Sequence, residues 1–109
     1  MNETRMITEA LLAFRDARDW QQFHNPKDLA IALNVEAGEL LELFLWKQAE
    51  EADIKRIREE LADIFAFAFL MAHHYGIDVK EIILEKIAAN DAKYPVEKSR
   101  GSAKKYNEL

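Results

Sequence analysis

Apolar residues recur at helical spacing along most of the chain, and no segment shows the alternation that is typical of a β-strand. Together with the residues that cap and stop helices, this pattern predicts four helices, at about 4–18, 26–47, 53–75 and 78–93. Because the connections are short, we expect an all-α protein built as a four-helix up-and-down bundle. The chain is predicted to form a single domain, 1–109, with an irregular basic tail from about 96 to 109.

The second predicted helix is apolar around most of its circumference, which indicates a central position in the bundle. Asn25 and Pro26 mark its start, since asparagine caps a helix and proline fits its first turn. Gly38 lies in the middle of this helix although glycine is a poor helix former. Two explanations stay open for Gly38: close packing against another helix, or room for a ligand between two glutamates.

Two pairs of acidic residues, each with a spacing of three, interrupt the apolar helices. These pairs, called acidic steps below, are the main candidates for functional residues. Glu36 and Glu39 lie on the second helix, and Glu60 and Asp63 lie on the third. Residues three apart project to the same side of a helix, and Glu42 continues the first row. If the two helices are antiparallel neighbours, their acidic rows face each other across the bundle.

Exposure to solvent on a helix surface is the ordinary explanation for any single acidic step. For two such steps on adjacent helices, metal binding is the stronger explanation. No lysine or arginine occurs between Asp28 and Trp46, and Asp63 is the only charged residue in 61–72. Buried carboxylates are costly unless they are paired or bind a metal. The all-oxygen donor set therefore favours Mg²⁺, with Mn²⁺ as a substitute.

A ferritin-like di-iron site is less compatible with the sequence. Such bundles use Glu-x-x-His steps, and neither step has histidine at the required position. His73 and His74 lie several turns beyond Asp63, where they are interpreted as helix-end residues without a chemical role.

Composition narrows the function further. The net charge of −5 argues against a general nucleic-acid binder, and the absence of cysteine excludes disulfides and cysteine nucleophiles. No secretory signal is visible, and the longest nearly uncharged run, 64–77, is too short to cross a bilayer. We therefore expect a soluble cytoplasmic protein with no membrane partner.

With their flanking segments, the acidic steps resemble the MazG-like all-α nucleoside triphosphate pyrophosphohydrolases, and most closely the small dCTP pyrophosphatase branch. The resemblance covers essentially the whole chain, although the linker at 47–54 is shorter than in some relatives. The flanking segments that carry it are 19–26 (DWQQFHNP), 43–47 (LFLWK), 86–95 (KIAANDAKYP) and 100–109 (RGSAKKYNEL).

The resemblance implies Mg²⁺-dependent hydrolysis of a (deoxy)nucleoside triphosphate to the monophosphate and pyrophosphate, as a form of nucleotide pool sanitation. The expected substrate is dCTP or a modified pyrimidine. Glu36, Glu39, Glu60 and Asp63 would bind the metal. The resemblance does not name the catalytic base, for which a carboxylate that the metal does not fully use, such as Glu39 or Glu42, is the candidate. The predicted substrate contacts are Trp20, His24 and Trp46 near the base, and Lys86, Asn90, Lys93 and Tyr94 near the phosphates or sugar.

By the same resemblance, the chain would assemble as a homodimer or homotetramer, which agrees with its many apolar residues. Two alternatives remain open. One is the same chemistry on another nucleotide, such as dUTP or a purine triphosphate. The other is a non-catalytic helical module that uses the acidic cluster to bind a cation or a basic partner.

Overall fold

The computed structural model describes residues 2–109, and these residues form helices and no β-strand, as the sequence pattern predicts. The four long helices are α1 (Glu3–Ala17), α2 (Pro26–Glu42), α3 (Ile54–His74) and α4 (Val79–Lys93), and a short α5 (Val96–Ser99) follows. In the described part of the chain, three 3₁₀ turns lie at Gln21–Phe23, Ala49–Glu51 and Tyr106–Glu108. Within residues 2–109, no helix is both long enough and apolar enough to cross a membrane.

A polar side chain caps the start of each long helix. The Asn25 Oδ1 atom accepts a hydrogen bond of 2.9 Å from the backbone N–H of Asp28 at the start of α2. The carboxylate of Asp78 accepts an equivalent bond of 2.9 Å from Glu81 in α4. Such caps each contribute about 1 kcal/mol, which explains why the starts of these two helices are readable from the sequence.

The predicted end of the second helix is wrong by five residues, since α2 ends at Glu42 and not near residue 47. After this point the hydrogen bonds shorten to three-residue steps, with the N–H of Leu45 donating to the carbonyl oxygen of Glu42 at 3.2 Å. Trp46 then adopts a left-handed φ of 63°, which a continuing α-helix does not allow. Trp46 is therefore a loop residue.

The tail is more regular than the sequence suggests. The prediction of an irregular segment at 96–109 is wrong in part, because α5 and the 3₁₀ turn at Tyr106–Glu108 occupy some of it. In α5 the N–H of Ser99 donates to the carbonyl oxygen of Pro95 at 2.9 Å. Proline at a helix start loses no hydrogen bond, so Pro95, the second residue after α4, serves as the N-cap of α5.

The chain forms two compact units, one that ends at Ile77 and one that begins at Asp78. In the first unit, α2 packs mainly against α3, and α1 also contacts α3. The most buried apolar side chains belong to Leu29, Leu43, Leu70 and Ala72. Since Glu36 lies near Glu60 while Asn25 shares a cavity with His73, α2 and α3 run antiparallel.

Candidate metal centre

Three acidic side chains of α2 and α3 converge in the first unit. Glu36, Glu60 and Asp63 each offer one carboxylate oxygen, and these oxygens lie within 4.8 Å of one another. Glu36 and Glu60 are half-buried, whereas Asp63 is exposed. The antiparallel packing of the two helices thus brings both acidic steps to one place.

The buried oxygens of this cluster have no partner. One oxygen of Glu36 and one of Glu60, the Oε2 atoms, are shielded from solvent and accept no hydrogen bond. The one ion pair that residues 2–109 contain joins Arg15 to Asp16, so no lysine or arginine neutralises the cluster. Unpaired buried carboxylates are costly, and a hard divalent cation with oxygen ligands would satisfy them. The residues present therefore fit a Mg²⁺ or Mn²⁺ site.

The pKa of Glu36 also indicates that the cluster carries an excess of negative charge, which a cation would offset. The hydrogen bond that Glu36 could donate to Glu60 only when protonated, burial, and the nearby carboxylates of Glu39 and Asp63 raise the pKa of Glu36 from 4.5 to about 7. Each of these causes disfavours a second negative charge in a confined space. A bound divalent cation would reverse the balance and hold Glu36 ionised.

We expect the metal-free protein to lose stability as the pH rises from about 4.5 to about 7, because over this range Glu36 is ionised in the unfolded state and still protonated in the folded state. A carboxyl group whose pKa is raised by folding stabilises the protein fully below its unfolded pKa, and this contribution disappears above its folded pKa. Thermal unfolding in EDTA at about pH 5 and about pH 8 measures the effect. The Glu36→Gln variant lacks the titrating group, so its advantage over the wild type should grow with pH. An advantage that does not change with pH would contradict the prediction.

The other acidic candidates lie close by along α2. Glu39 is exposed and near enough to Glu36 to raise its pKa, although it is outside the group of three that converges within 4.8 Å. Glu42, the last residue of α2, is exposed. A side chain placed at Gly38 would meet no atom within 4 Å, so close helix packing does not explain this glycine. The space beside the glutamates is open.

The three predicted base contacts lie in different surroundings. Trp20 is 42 % exposed and packs edge-on against Phe14, with ring centroids 5.7 Å apart. Trp46 is 99 % exposed in the loop after α2. His24 is half-buried and lines a cavity near the start of α2. Their role in base binding stays a prediction.

The predicted phosphate or sugar contacts belong to the second unit. Lys86, Asn90 and Lys93 are exposed on α4, and the N–H of Tyr94 donates to the carbonyl oxygen of Asn90 at 2.8 Å. The ring of Tyr106 packs edge-on against Tyr94 and lies 5.0 Å from the Lys93 ammonium. This arrangement orders the end of α4 and gives the tail a structural contact.

The sequence pattern did not reveal a second polar cluster in the first unit. Arg15, His24, His73 and His74 line one cavity, although the two C-terminal histidines were expected to have no chemical role. The sequence allowed part of this cluster to be predicted, because antiparallel helices bring His24, near the start of α2, close to the histidines at the end of α3. What the sequence lacks is the position of Arg15, which depends on how α1 packs.

An all-helical fold with a carboxylate cluster between two antiparallel helices defines a class of helical proteins whose site fits a divalent cation. Comparison with protein families identifies the particular one: residues 31–109 match the MazG-like family. The chain belongs to this family, and the matched region contains all four predicted metal ligands.

Curated relatives and a solved structure agree with this placement. The chain is 41 % identical over 104 residues to dCTP pyrophosphatase 1 of Bos taurus and 36 % identical to that of Homo sapiens. Each match covers 88 % of this chain but only 62 % and 61 % of the relatives, so the chain spans less than two thirds of their length. A pyrophosphatase from Archaeoglobus fulgidus superposes with a TM-score of 0.81 at 29 % identity, covering 87 % of this chain and 94 % of that one.

Proposed function

We propose that the protein hydrolyses a (deoxy)nucleoside triphosphate, namely dCTP or a modified pyrimidine, to the nucleoside monophosphate and pyrophosphate. The observation that carries the proposal is the pair of buried, unpartnered oxygens of Glu36 and Glu60 within a carboxylate cluster. Family membership and the names of the relatives support the reaction type. The cellular role would be to clear unwanted nucleotides from the pool.

In this proposal Glu36, Glu39, Glu60 and Asp63 hold Mg²⁺, with Mn²⁺ as a substitute. When bound, the cation would offset the charge of the phosphates and lower the pKa of a water molecule. The four carboxylates would hold the cation at one place, and the packing of α2 against α3, from which they project, supports this assignment. Positioning and charge stabilisation supply most of the catalysis in phosphoryl chemistry.

The reaction needs one water and one proton acceptor. The water oxygen forms a bond to the α-phosphorus while the bond from this phosphorus to the bridging oxygen breaks, and pyrophosphate leaves. Glu39 or Glu42 takes the proton that the water loses, since both are exposed on α2 and follow Glu36 at three-residue spacing.

We assign the nucleobase to Trp20, His24 and Trp46, and the phosphates or sugar to Lys86, Asn90, Lys93 and Tyr94. The exposed ring of Trp46 offers a free stacking face, which a base requires. The exposed lysines of α4 offer cationic contacts for phosphate oxygens. The acidic net charge of the chain supports a small-molecule substrate and not a nucleic acid.

We also propose a four-helix bundle that assembles as a homodimer or homotetramer. Large apolar side chains are exposed on α2 and α3, among them Val35 at 51 %, Leu41 at 63 % and Phe65 at 58 %. Such a surface is normally covered in a stable protein. Light scattering at micromolar concentration is expected to give at least twice the mass of the chain, and a monomer mass would contradict the proposal.

The activity is tested by incubating the protein with each common ribonucleotide and deoxynucleotide triphosphate in Mg²⁺ or in EDTA. We expect release of pyrophosphate in Mg²⁺ only, strongest for dCTP or a related pyrimidine. Release of orthophosphate instead would mean that a different bond is cleaved. No release from any nucleotide would favour a non-catalytic metal-binding module.

A further inference from the structure

The tail of the chain returns to the end of α4, and all the residues involved belong to the second unit. Tyr106 follows Tyr94 by twelve residues, yet the two ring centroids lie only 6.2 Å apart. The Lys93 ammonium lies 5.0 Å from the centroid of the Tyr106 ring. Two side chains from the end of α4 and one from the tail therefore form a single cluster.

Backbone hydrogen bonds and one glycine account for the return of the tail. The N–H of Arg100 donates to the carbonyl oxygen of Val96 at 3.1 Å, which closes α5. Gly101 then adopts a left-handed φ of 75°, a conformation that glycine reaches without the clash of a Cβ atom. The N–H of Ser102 donates to the carbonyl oxygen of Ser99 at 2.9 Å, which completes the turn.

The ring of Tyr106 is held by the backbone and by a second ring. Tyr106 begins the last 3₁₀ turn, in which the N–H of Glu108 donates to the carbonyl oxygen of Lys105 at 2.9 Å. The rings of Tyr106 and Tyr94 meet at 84°, an arrangement that aromatic pairs favour because the positive edge of one ring meets the negative face of the other. Tyr94 is half-buried, whereas Tyr106 is 52 % exposed.

The Tyr106 ring restricts the Lys93 ammonium without neutralising it. The face of an aromatic ring carries partial negative charge and attracts a cation. The one ion pair within residues 2–109 joins Arg15 to Asp16, so no carboxylate competes for Lys93 there. A carboxylate would occupy the N–H donors of the ammonium, whereas a ring leaves most of them free for another acceptor. The Lys93 ammonium is therefore both held and available to an anion.

Lys93 differs in this respect from the other lysines that the structure describes, because its ammonium alone lies over an aromatic ring. A lysine side chain has a flexible four-carbon stem, and fixing it in one geometry costs conformational entropy. Where a contact restricts the side chain before a ligand arrives, less of this cost remains at binding. Lys86, the other lysine among the proposed phosphate contacts, is exposed on α4 without such a ring.

We propose that Tyr106 is a positioning residue, which holds the Lys93 ammonium in place for a phosphate oxygen of the nucleotide. This inference rests on the proposed function, in which Lys93 contacts the phosphates or sugar. Tyr106 does not touch the substrate in this account, and its effect passes through Lys93. The lost contact would weaken the binding of substrate and transition state equally, so KM would rise and kcat would stay unchanged.

The test measures the affinity of the full chain for α,β-imido dCTP in Mg²⁺ by calorimetry. This analogue keeps three phosphates but resists cleavage between the α- and β-phosphorus, so binding is measured without turnover. Tyr106→Leu is expected to raise the Kd about two- to fivefold, the loss that an exposed cation–π contact predicts. Tyr106→Phe keeps the ring and should bind like the wild type. With dCTP as the substrate, KM should rise by the same factor at constant kcat.

A double-variant cycle separates positioning of Lys93 from a general structural role of the tail. In the Lys93→Met background, Tyr106→Leu should raise the Kd no further, because the side chain through which Tyr106 acts is gone. A tail that only shapes its surroundings would weaken binding in both backgrounds. Tyr75→Leu is the matched control, because Tyr75 is 60 % exposed and lies outside the second unit.

Three results would overturn the proposal and leave the proposed function in place. They are a wild-type Kd in Tyr106→Leu, an equal loss in Tyr75→Leu, and an equal loss with and without Lys93. If the wild type neither binds the analogue nor releases pyrophosphate from dCTP, the proposed function is wrong, and the role of Tyr106 is wrong with it.

Discussion

Replacing Glu60 by glutamine is expected to reduce Mg²⁺-dependent pyrophosphate release by at least about a hundredfold. Glu60 supplies one of the three converging oxygens, and its second oxygen is buried without a partner. Glutamine keeps the size of the side chain but removes the charge that the cation needs. The expected loss should appear as a higher Mg²⁺ requirement as well as a lower kcat.

Glu59→Gln is the matched control for this prediction. Glu59 precedes Glu60 on α3, is exposed and does not belong to the converging group. It removes the same charge from the chain at a position about 100° away around the helix. If both variants lost activity equally, the effect would come from general electrostatics and the assignment of Glu60 as a ligand would be wrong.

Leu29→Ala is expected to lower the free energy of unfolding by about 2–4 kcal/mol. Leu29 is only 2 % exposed, which makes it the most buried apolar side chain in residues 2–109. Alanine removes buried apolar surface and leaves a cavity where α2 packs in the first unit. Urea unfolding, compared at one protein concentration because assembly would shift the midpoint, measures the change.

Leu29→Met is the control that keeps the volume and helix propensity of residue 29, so a large loss in Leu29→Ala alone would be due to lost packing. Methionine has a similar volume and helix propensity, so this variant should cost less than about 1.5 kcal/mol. A small cost for Leu29→Ala as well would mean that the contact of α2 with its neighbours is not the core of the unit. If Leu29→Ala remains active at low temperature, where the variant is still folded, the carboxylate cluster has kept its geometry.

Much of the fold follows from local signals in the sequence. Asn25 and Pro26 mark the start of α2, and Asp78 marks the start of α4, because capping depends on residues only three apart. The end of α2 could not be read in the same way. Leu43 and the residues after it are apolar and compatible with a helix, but the chain turns there, and Trp46 adopts a conformation that no local pattern announces.

In the candidate site, too, some features could be predicted from the sequence and others could not. The spacing of Glu36 and Glu39, and of Glu60 and Asp63, predicted two acidic rows, and the structure brings three of these four carboxylates within 4.8 Å. It leaves Glu39 just outside this group, since the exact reach of a side chain depends on its rotamer and not on the helix period. The role of each residue in binding metal and substrate stays a prediction.

The sequence by itself determined the helices, their starts and the acidic rows, because these depend on periodicity and on neighbours within one turn. Only the tertiary structure decided that the Oε2 atoms of Glu36 and Glu60 are buried without partners, and that Arg15, His24 and His73 line one cavity. Burial and the meeting of distant residues depend on how helices pack, and side chains far apart in the chain carry no local signal of that packing.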